Sequence, residues 1–187
     1  MTQPPFAEWP PTGRGYFAIG AERMSKSMNL GNLMRSAHGF GASFTFTIGA
    51  TYKALEARAD TSKGQWHLPH YNWLSVDEMA LPQGCRLVGV ELLDEAIDLP
   101  SFRHPRRAAY VLGPEQGSLS QPLLARCDYV VRIPTSFCVN VAMAGAIVMY
   151  DRVRSMARFA DRPLREGGPH TLPQVPRRRG DKIVGEG

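Results

Sequence analysis

The stretch from Tyr110 to Tyr150, YVLGPEQGSLSQPLLARCDYVVRIPTSFCVNVAMAGAIVMY, limits the folds open to this chain more than any other. It reads as strand, Gly-rich turn, short helix, strand, tight loop and helix. Tyr110–Leu112 is a β-type run that stops at Gly113-Pro114, where the backbone must turn. Glu115 to Ser120 supplies turn residues and then a Ser/Gln helix start. Tyr129–Ile133 is a second β-rich run, ended by Pro134, which cannot donate to a sheet ladder. Val139–Tyr150 is apolar with several small residues, as a buried helix packed closely on its neighbours requires. Two strands whose carboxyl ends open into Gly/Pro loops make a crevice at the edge of an α/β sheet, the usual place for a ligand.

The preceding chain supplies further strands and one strong helix. Gly15–Ile19 is a short apolar strand, and Ala21–Met28 reads as a polar loop exposing Arg23 and Lys26. From Asn29 the pattern turns helical: Leu30, Leu33, Met34 and Ala37 share one face, and Gly39 and Gly41 punctuate the end. Ser43–Ile48 alternates polar and apolar residues, a strand signal. Tyr52–Ala59 suits a short helix. In the loop Thr61–Tyr71, Lys63, His67 and His70 stand among aromatic residues, either as ordered surface or as contacts to phosphate and base. His67 and His70 have no acidic or cysteine partner nearby, which argues against a metal. Ser75–Ala80 reads as a short helix, with Ser75 and Glu78 spaced as a capping box. Arg86–Leu92 is a buried strand and Ala96–Leu99 a shorter one. The closing helix continues to Phe159; Arg152, Arg154 and Arg158 near its carboxyl end suit either the helix dipole or RNA.

A chain of 187 residues accommodates one α/β domain of about 150 residues plus tails. The division expected is a proline-rich arm over 1–13, a folded domain over 14–159 and a disordered basic tail over 160–187. That tail carries Arg177-Arg178-Arg179 and Lys182, which either remain solvated or add sequence-independent attraction to phosphate. Lys and Arg outnumber Asp and Glu by 22 to 17, and the net charge of +5 fits a polyanionic partner without requiring one. Cys85, Cys127 and Cys138 have no CxxC spacing, so neither a disulfide framework nor a zinc site is expected. No apolar run reaches the ~18 residues that span a bilayer, and Met1–Pro11 lacks a signal-peptide core. The expectation is a soluble, cytoplasmic protein with no membrane partner.

Three sets of residues carry a family resemblance. The run Gly113-x-Glu115-x-Gly117, then Ile133-Pro134, then Asn140 before a small-residue helix resembles the C-terminal motifs of the TrmH-like (SpoU) RNA 2′-O-methyltransferases, of the SPOUT group. Asn29-Leu-Gly31-Asn32-Leu-Met-Arg35-Ser-Ala37, followed by Phe40-Gly41, resembles the first motif of that family. The matches span Tyr16 to Tyr150. The resemblance implies a parallel sheet flanked by helices with a C-terminal trefoil knot, S-adenosylmethionine as methyl donor, and a ribose 2′-hydroxyl of RNA as acceptor. Because no separate RNA-binding domain is apparent beyond the tails, tRNA is the expected substrate. An rRNA substrate, or a non-catalytic RNA-binding member of the same fold, are the alternatives. A Rossmann dinucleotide enzyme is a third reading, disfavoured because GxGxxG is missing and Gly15 and Gly20 flank the first strand instead.

The resemblance also assigns roles. Leu112, Gly113, Glu115, Ile133, Pro134, Val139, Asn140 and Ala142 are implied to form the donor pocket. Arg35 is implied to act with an RNA phosphate in orienting and deprotonating the attacking hydroxyl; arginine stays protonated, so it is an odd base alone. Asn29 and Asn140 would position substrate or donor. Glu115 would either order the first motif by hydrogen bonding or take part directly. Arg35 lies six residues after Asn29, and both are expected to face one pocket at the amino end of their helix. One departure stands out: where the family has serine two residues before the last asparagine, this chain has Cys138. The loop from Pro134 to that position is also shorter than in many members. Finally, Val139–Tyr150 is apolar on nearly all sides, and its alanines with Gly145 permit close helix approach, so a homodimer is expected; no metal is.

Overall fold

The structure, a computed structural model, describes residues 15–50, 68–157 and 159. In chain order the elements are β1 (Tyr16–Glu22), α1 (Ser27–Phe40), β2 (Phe44–Ile48), β3 (His70–Trp73), β4 (Arg86–Val90), β5 (Ile97–Asp98), β6 (Arg107–Leu112), α2 (Gln121–Arg126), β7 (Tyr129–Arg132) and α3 (Val141–Met156). The strands form one seven-stranded sheet in the order β3-β2-β1-β6-β4-β7-β5, and every pairing is parallel. Parallel strands are covered on both faces, which explains their near-continuous apolar runs. Successive residues point to opposite faces. Ile19, Ala21, Tyr110 and Leu112 therefore join the core beneath α1 and α3, while Ala18, Ala109 and Val111 join the opposite core with Leu123 of α2.

The buried stripe expected of the first helix is the one found: Leu30, Leu33, Met34 and Ala37 are all buried, and Gly41 closes α1 in the left-handed region. The pairing of α1 with α3 depends on Gly145, where a Cβ would overlap Leu33 Cδ1 and stand 3.3 Å from Ile19 Cδ1. The close approach that Gly145 permits is thus used within one chain, by α1, rather than by a second copy.

Several local readings change. β1 continues through Glu22, which is buried because Ser120 donates both its amide and its hydroxyl to that carboxylate. The supposed polar loop is correspondingly shorter, and α1 starts at Ser27 rather than Asn29. His70 belongs to β3, not to a loop, and its ring contacts the hydroxyl of Thr45 at 2.9 Å. The segment Ser75–Ala80 is a turn. The Ser75 hydroxyl accepts from the Glu78 amide at 3.4 Å, but the Glu78 carboxylate caps Leu74 at 3.0 Å. Pro82 follows too soon for a helix to propagate. Arg152 is buried rather than solvated at a helix end, and α3 stops at Met156. The expected arm over 1–13, the helix Tyr52–Ala59, Lys63, His67, Arg158 and the tail from 160 onward lie outside the described residues.

The crevice is not at a sheet edge. β4 pairs with both β6 and β7 and so stands between them. The ligand-sized opening therefore lies at the carboxyl ends of three interior strands.

Candidate active site

Loops leaving β6, β4 and β7 enclose a cleft of about 310 Å³ at the carboxyl end of the sheet. Its walls come from Leu112 to Glu115 and Gly117, Val90 to Leu92, Ile133, Thr135 and Cys138 to Val141 with Ala144; Lys26 and Asn29 close it from the start of α1. Parallel strands leave backbone groups unpaired where they stop, so such a site presents amides and carbonyls as well as side chains.

One hydrogen-bond chain ties the three motif segments together. Glu115 accepts from the Ser25 amide (3.0 Å), the Ser25 hydroxyl (2.9 Å), the Lys26 amide (3.0 Å) and Asn29 Nδ2 (3.0 Å). Asn29 Oδ1 in turn accepts from Asn140 Nδ2 at 3.0 Å, and Asn140 Oδ1 accepts from the amides of Ala142 (2.9 Å) and Met143 (3.4 Å), capping α3. A carboxylate accepts only, so each amide in the chain has one permitted orientation. Burial alone would raise the Glu115 carboxyl. The Ser25 amide, the Asn29 side chain and the Ser25 hydroxyl outweigh burial and hold that carboxyl below the usual carboxylate range. Glu115 is thus an ionised anchor for the first motif.

The loop between β6 and α2 is held from both sides. Glu22 at the end of β1 accepts from the Ser120 amide (2.8 Å), and Arg23 donates to the Ser118 carbonyl (2.8 Å). From the other side Glu91 Oε2 accepts from the Leu119 amide at 2.7 Å. A Cβ at Gly113 would stand 3.3 Å from the Leu119 nitrogen and 3.5 Å from Glu91 Oε2, so glycine lets this loop fold tightly over the strand end.

Of the residues singled out in the sequence, Asn29, Leu112, Gly113, Glu115, Ile133, Val139 and Asn140 line the cleft together. Three do not. Ala142 is buried in the core under α3, and Pro134 is exposed beyond the rim. Arg35 is exposed on α1 while Asn29 is buried facing the cleft. Six residues at 3.6 per turn turn the side chain about 120° around the helix, so the two do not share one pocket within a chain. Sequence reasoning passed over Lys26, Val90, Glu91 and Leu92. Glu91 carries a usable signal, an acidic residue at the end of an apolar parallel strand, which reading Arg86–Leu92 as one buried strand hides.

Among the described residues no group of three or more His, Cys, Asp or Glu side chains could hold a metal ion, and no helix is long and apolar enough to cross a membrane.

The profile of the SpoU rRNA Methylase family matches residues 16–150. The chain is 25% identical over 179 residues to a tRNA (guanosine(18)-2′-O)-methyltransferase of Escherichia coli, covering 85% of this chain and 78% of that one. It is 26% identical over 150 residues to a mouse protein of the same description, spanning 73% of this chain but only 9% of the mouse protein's length. Among solved structures it resembles the SpoU methyltransferase AviRb from Streptomyces viridochromogenes, with a TM-score of 0.68, 24% identity, 78% of this chain and 62% of AviRb. AviRb has also been solved in complex with the cofactor AdoMet, at the same TM-score of 0.68, 23% identity, and coverage of 77% and 59%.

Proposed function

The chain belongs to the SpoU rRNA methylase family, and from that premise we propose that it is an S-adenosylmethionine-dependent RNA ribose 2′-O-methyltransferase with tRNA as its substrate. The observation that carries this reading is the Glu115–Asn29–Asn140 chain, which draws three distant segments to one cleft at the carboxyl ends of parallel strands. The similarity to the E. coli tRNA enzyme over most of both chains supports tRNA over rRNA.

The residues present suit the donor. Val90, Leu112, Ile133 and Val139 offer apolar walls for a purine, and Lys26 offers a positive charge to the carboxylate of the ligand's methionyl end. When bound, the donor supplies an electrophilic methyl group on its sulfonium. The chain's own residues do the rest. Asn140 fixes the amino end of α3 against Asn29, which Glu115 fixes in turn, so the cleft mouth is set before substrate arrives. Arg35 holds an RNA phosphate by a charge-assisted contact and orients the ribose hydroxyl, whose proton passes to a phosphate oxygen because the guanidinium is already protonated.

Because Arg35 does not line the cleft of its own chain, the reading includes a homodimer in which α1 of one copy presents Arg35 to the cleft of the other. Met28 on α1 and Met143 and Tyr150 on α3 are all exposed and supply apolar surface for such a contact. Calorimetric binding of S-adenosylmethionine, followed by mass spectrometry of nucleosides from tRNA incubated with protein and donor, tests the activity. A 2′-O-methylnucleoside in tRNA supports it. Modification of rRNA alone reassigns the substrate, and absence of donor binding overturns the reading. Sedimentation across a wide concentration range tests the dimer: activity must fall as the protein dissociates.

A further inference from the structure

The cleft contains two carboxylates, and they are in different states. Glu115 accepts four hydrogen bonds from the protein, from Ser25, Lys26 and Asn29, which matches the roughly four lone-pair sites a carboxylate has. Glu91 accepts two, from the Leu119 amide at 2.7 Å and the Leu92 amide at 3.0 Å, one on each oxygen. Each Glu91 oxygen therefore keeps acceptor capacity, and no described ion pair involves Glu91. The two amides fix its rotamer, and its own amide donates to the Val131 carbonyl at 3.0 Å, locking the end of β4 to β7. This is an immobilised anion with acceptors to offer, in a cleft wall between Gly113 and Ile133.

We infer that Glu91 is a donor-recognition residue: its carboxylate accepts hydrogen bonds from the ribose 2′,3′-diol of S-adenosylmethionine. The inference rests on the methyltransferase reading above and adds a residue to it. A vicinal diol presents two hydroxyl donors side by side, which matches the two oxygens of one carboxylate. The ends of β6 and β7 lie on either side of Glu91 in the sheet, and their backbone groups would suit the adenine end of the donor. A rigid acceptor between them suits the next part of the molecule, the ribose. Lys26 stands at the α1 side of the cleft, where it suits the carboxylate of the methionyl end. A diol-directed carboxylate also rejects ligands without those hydroxyls, because the anion is then left desolvated and unpaired.

The test is a protein–ligand coupling cycle read by calorimetry, with no dependence on turnover. The ligands are 5′-methylthioadenosine, which keeps the diol but lacks the amino-acid portion, and its 2′-deoxy analogue. The native chain is expected to bind the deoxy analogue at least about tenfold more weakly. Glu91→Ala is expected to bind both weakly and almost equally, so that the tenfold preference vanishes. If Glu91→Ala weakens both ligands but preserves the preference, Glu91 only holds the Leu119 loop and the inference fails. If methylthioadenosine binding is unchanged while S-adenosylmethionine weakens, the carboxylate faces the ammonium instead, and the inference fails again. Failure of the native chain to bind S-adenosylmethionine at all would overturn the methyltransferase reading itself, a result distinct from either.

Discussion

Two polar constellations flank this sheet, and the one with the more reactive residue types lies away from the cleft. Beneath α3, toward the amino ends of β1 and β6, Arg152 donates to the carbonyls of Pro105 (2.6 Å), Arg106 (3.0 Å) and Tyr16 (3.3 Å) and to the Tyr110 hydroxyl (3.1 Å). Tyr110 meets His104 Nδ1 at 2.6 Å, and His104 Nε2 meets Asp151 at 2.9 Å. Tyr, His, Asp and Arg in one relay look catalytic by type. Yet His104, Tyr110 and Arg152 are buried, none of the four lines the cleft, and every contact joins protein to protein. The carboxyl-end site is built from two asparagines and two glutamates, and it alone combines an opening with residual acceptor capacity. Function follows unused hydrogen-bonding capacity facing a cavity, more than the identity of the residues.

The largest expected effect separates the two regions by activity. Arg35→Ala should lower methyl transfer by about 10²–10³-fold, the scale of removing a positioned charge from a transition state. S-adenosylmethionine affinity, measured calorimetrically, should stay within a few-fold, since Arg35 lies outside the cleft of its own chain. Equal loss of donor binding would make Arg35 part of the pocket and dissolve the distinction.

The converse substitution acts on stability. Arg152→Met should destabilise the fold by about 2–4 kcal/mol, because it strands buried carbonyls and the Tyr110 hydroxyl without a donor. At a temperature where the variant is folded, donor affinity should be unchanged. Urea unfolding monitored by circular dichroism supplies the first quantity and calorimetry the second. A weaker donor affinity would show that the relay is coupled to the cleft after all.

The same relay predicts a pH dependence. With Arg152 donating to Tyr110, the hydroxyl proton goes to His104 Nδ1, and the Nε2 proton goes to Asp151, so His104 is held neutral. Burial lowers the His104 pKa, against the opposing pull of Asp151. Burial likewise lowers that of His70, to about 4. For both groups the unfolded state binds more protons below the ordinary value of about 6.5. Stability is therefore complete above about pH 6.5 and falls as pH drops toward the folded values. His104→Gln should flatten the fall in unfolding free energy between pH 7.5 and 5 while leaving the part due to His70. An unchanged slope would mean that His104 is not the group that charges.

These contrasts also explain what the sequence made legible. Helix α1 was readable because its buried stripe is local: Leu30, Leu33, Met34 and Ala37 announce it whatever they pack against. The strands are readable as apolar runs, and the motif order groups Asn29, Glu115 and Asn140 in one site. The hydrogen bond from the first motif to Glu115 is one of the two roles the resemblance implies, whereas the Asn140–Asn29 contact is not legible, because it spans 111 residues. Glu22 was misplaced in a loop for the same reason, since its partner Ser120 lies 98 residues away. Ser75 and Glu78 show the opposite error, a local signal that formed its hydrogen bonds without the helix it normally announces. Arg35 shows a third: spacing along a helix gave proximity in sequence but not a shared face.

The smallest effect tests whether the cleft tolerates a change that the relay would not. Cys138 is exposed, lies at the cleft wall two residues before Asn140, and occupies the place where the family has serine. A thiol is a weak donor and a hydroxyl a good one, but the two fill similar volume. Asn140 caps α3 through its own side chain and backbone neighbours, so the cap does not depend on residue 138. Cys138→Ser should therefore leave donor affinity and methyl transfer within about fivefold of the parent, with any change an increase, because one hydrogen bond at a solvated rim contributes about 1 kcal/mol or less. The same expectation would be wrong at Tyr110, where a lost hydroxyl leaves the buried His104 Nδ1 unpaired and takes one of four acceptors from Arg152. Steady-state kinetics on tRNA with each variant make the comparison. Complete inactivation by serine would mean that the thiol itself does chemistry in this cleft, and the division between an open, adaptable site and a closed, saturated relay would have to be redrawn around Cys138.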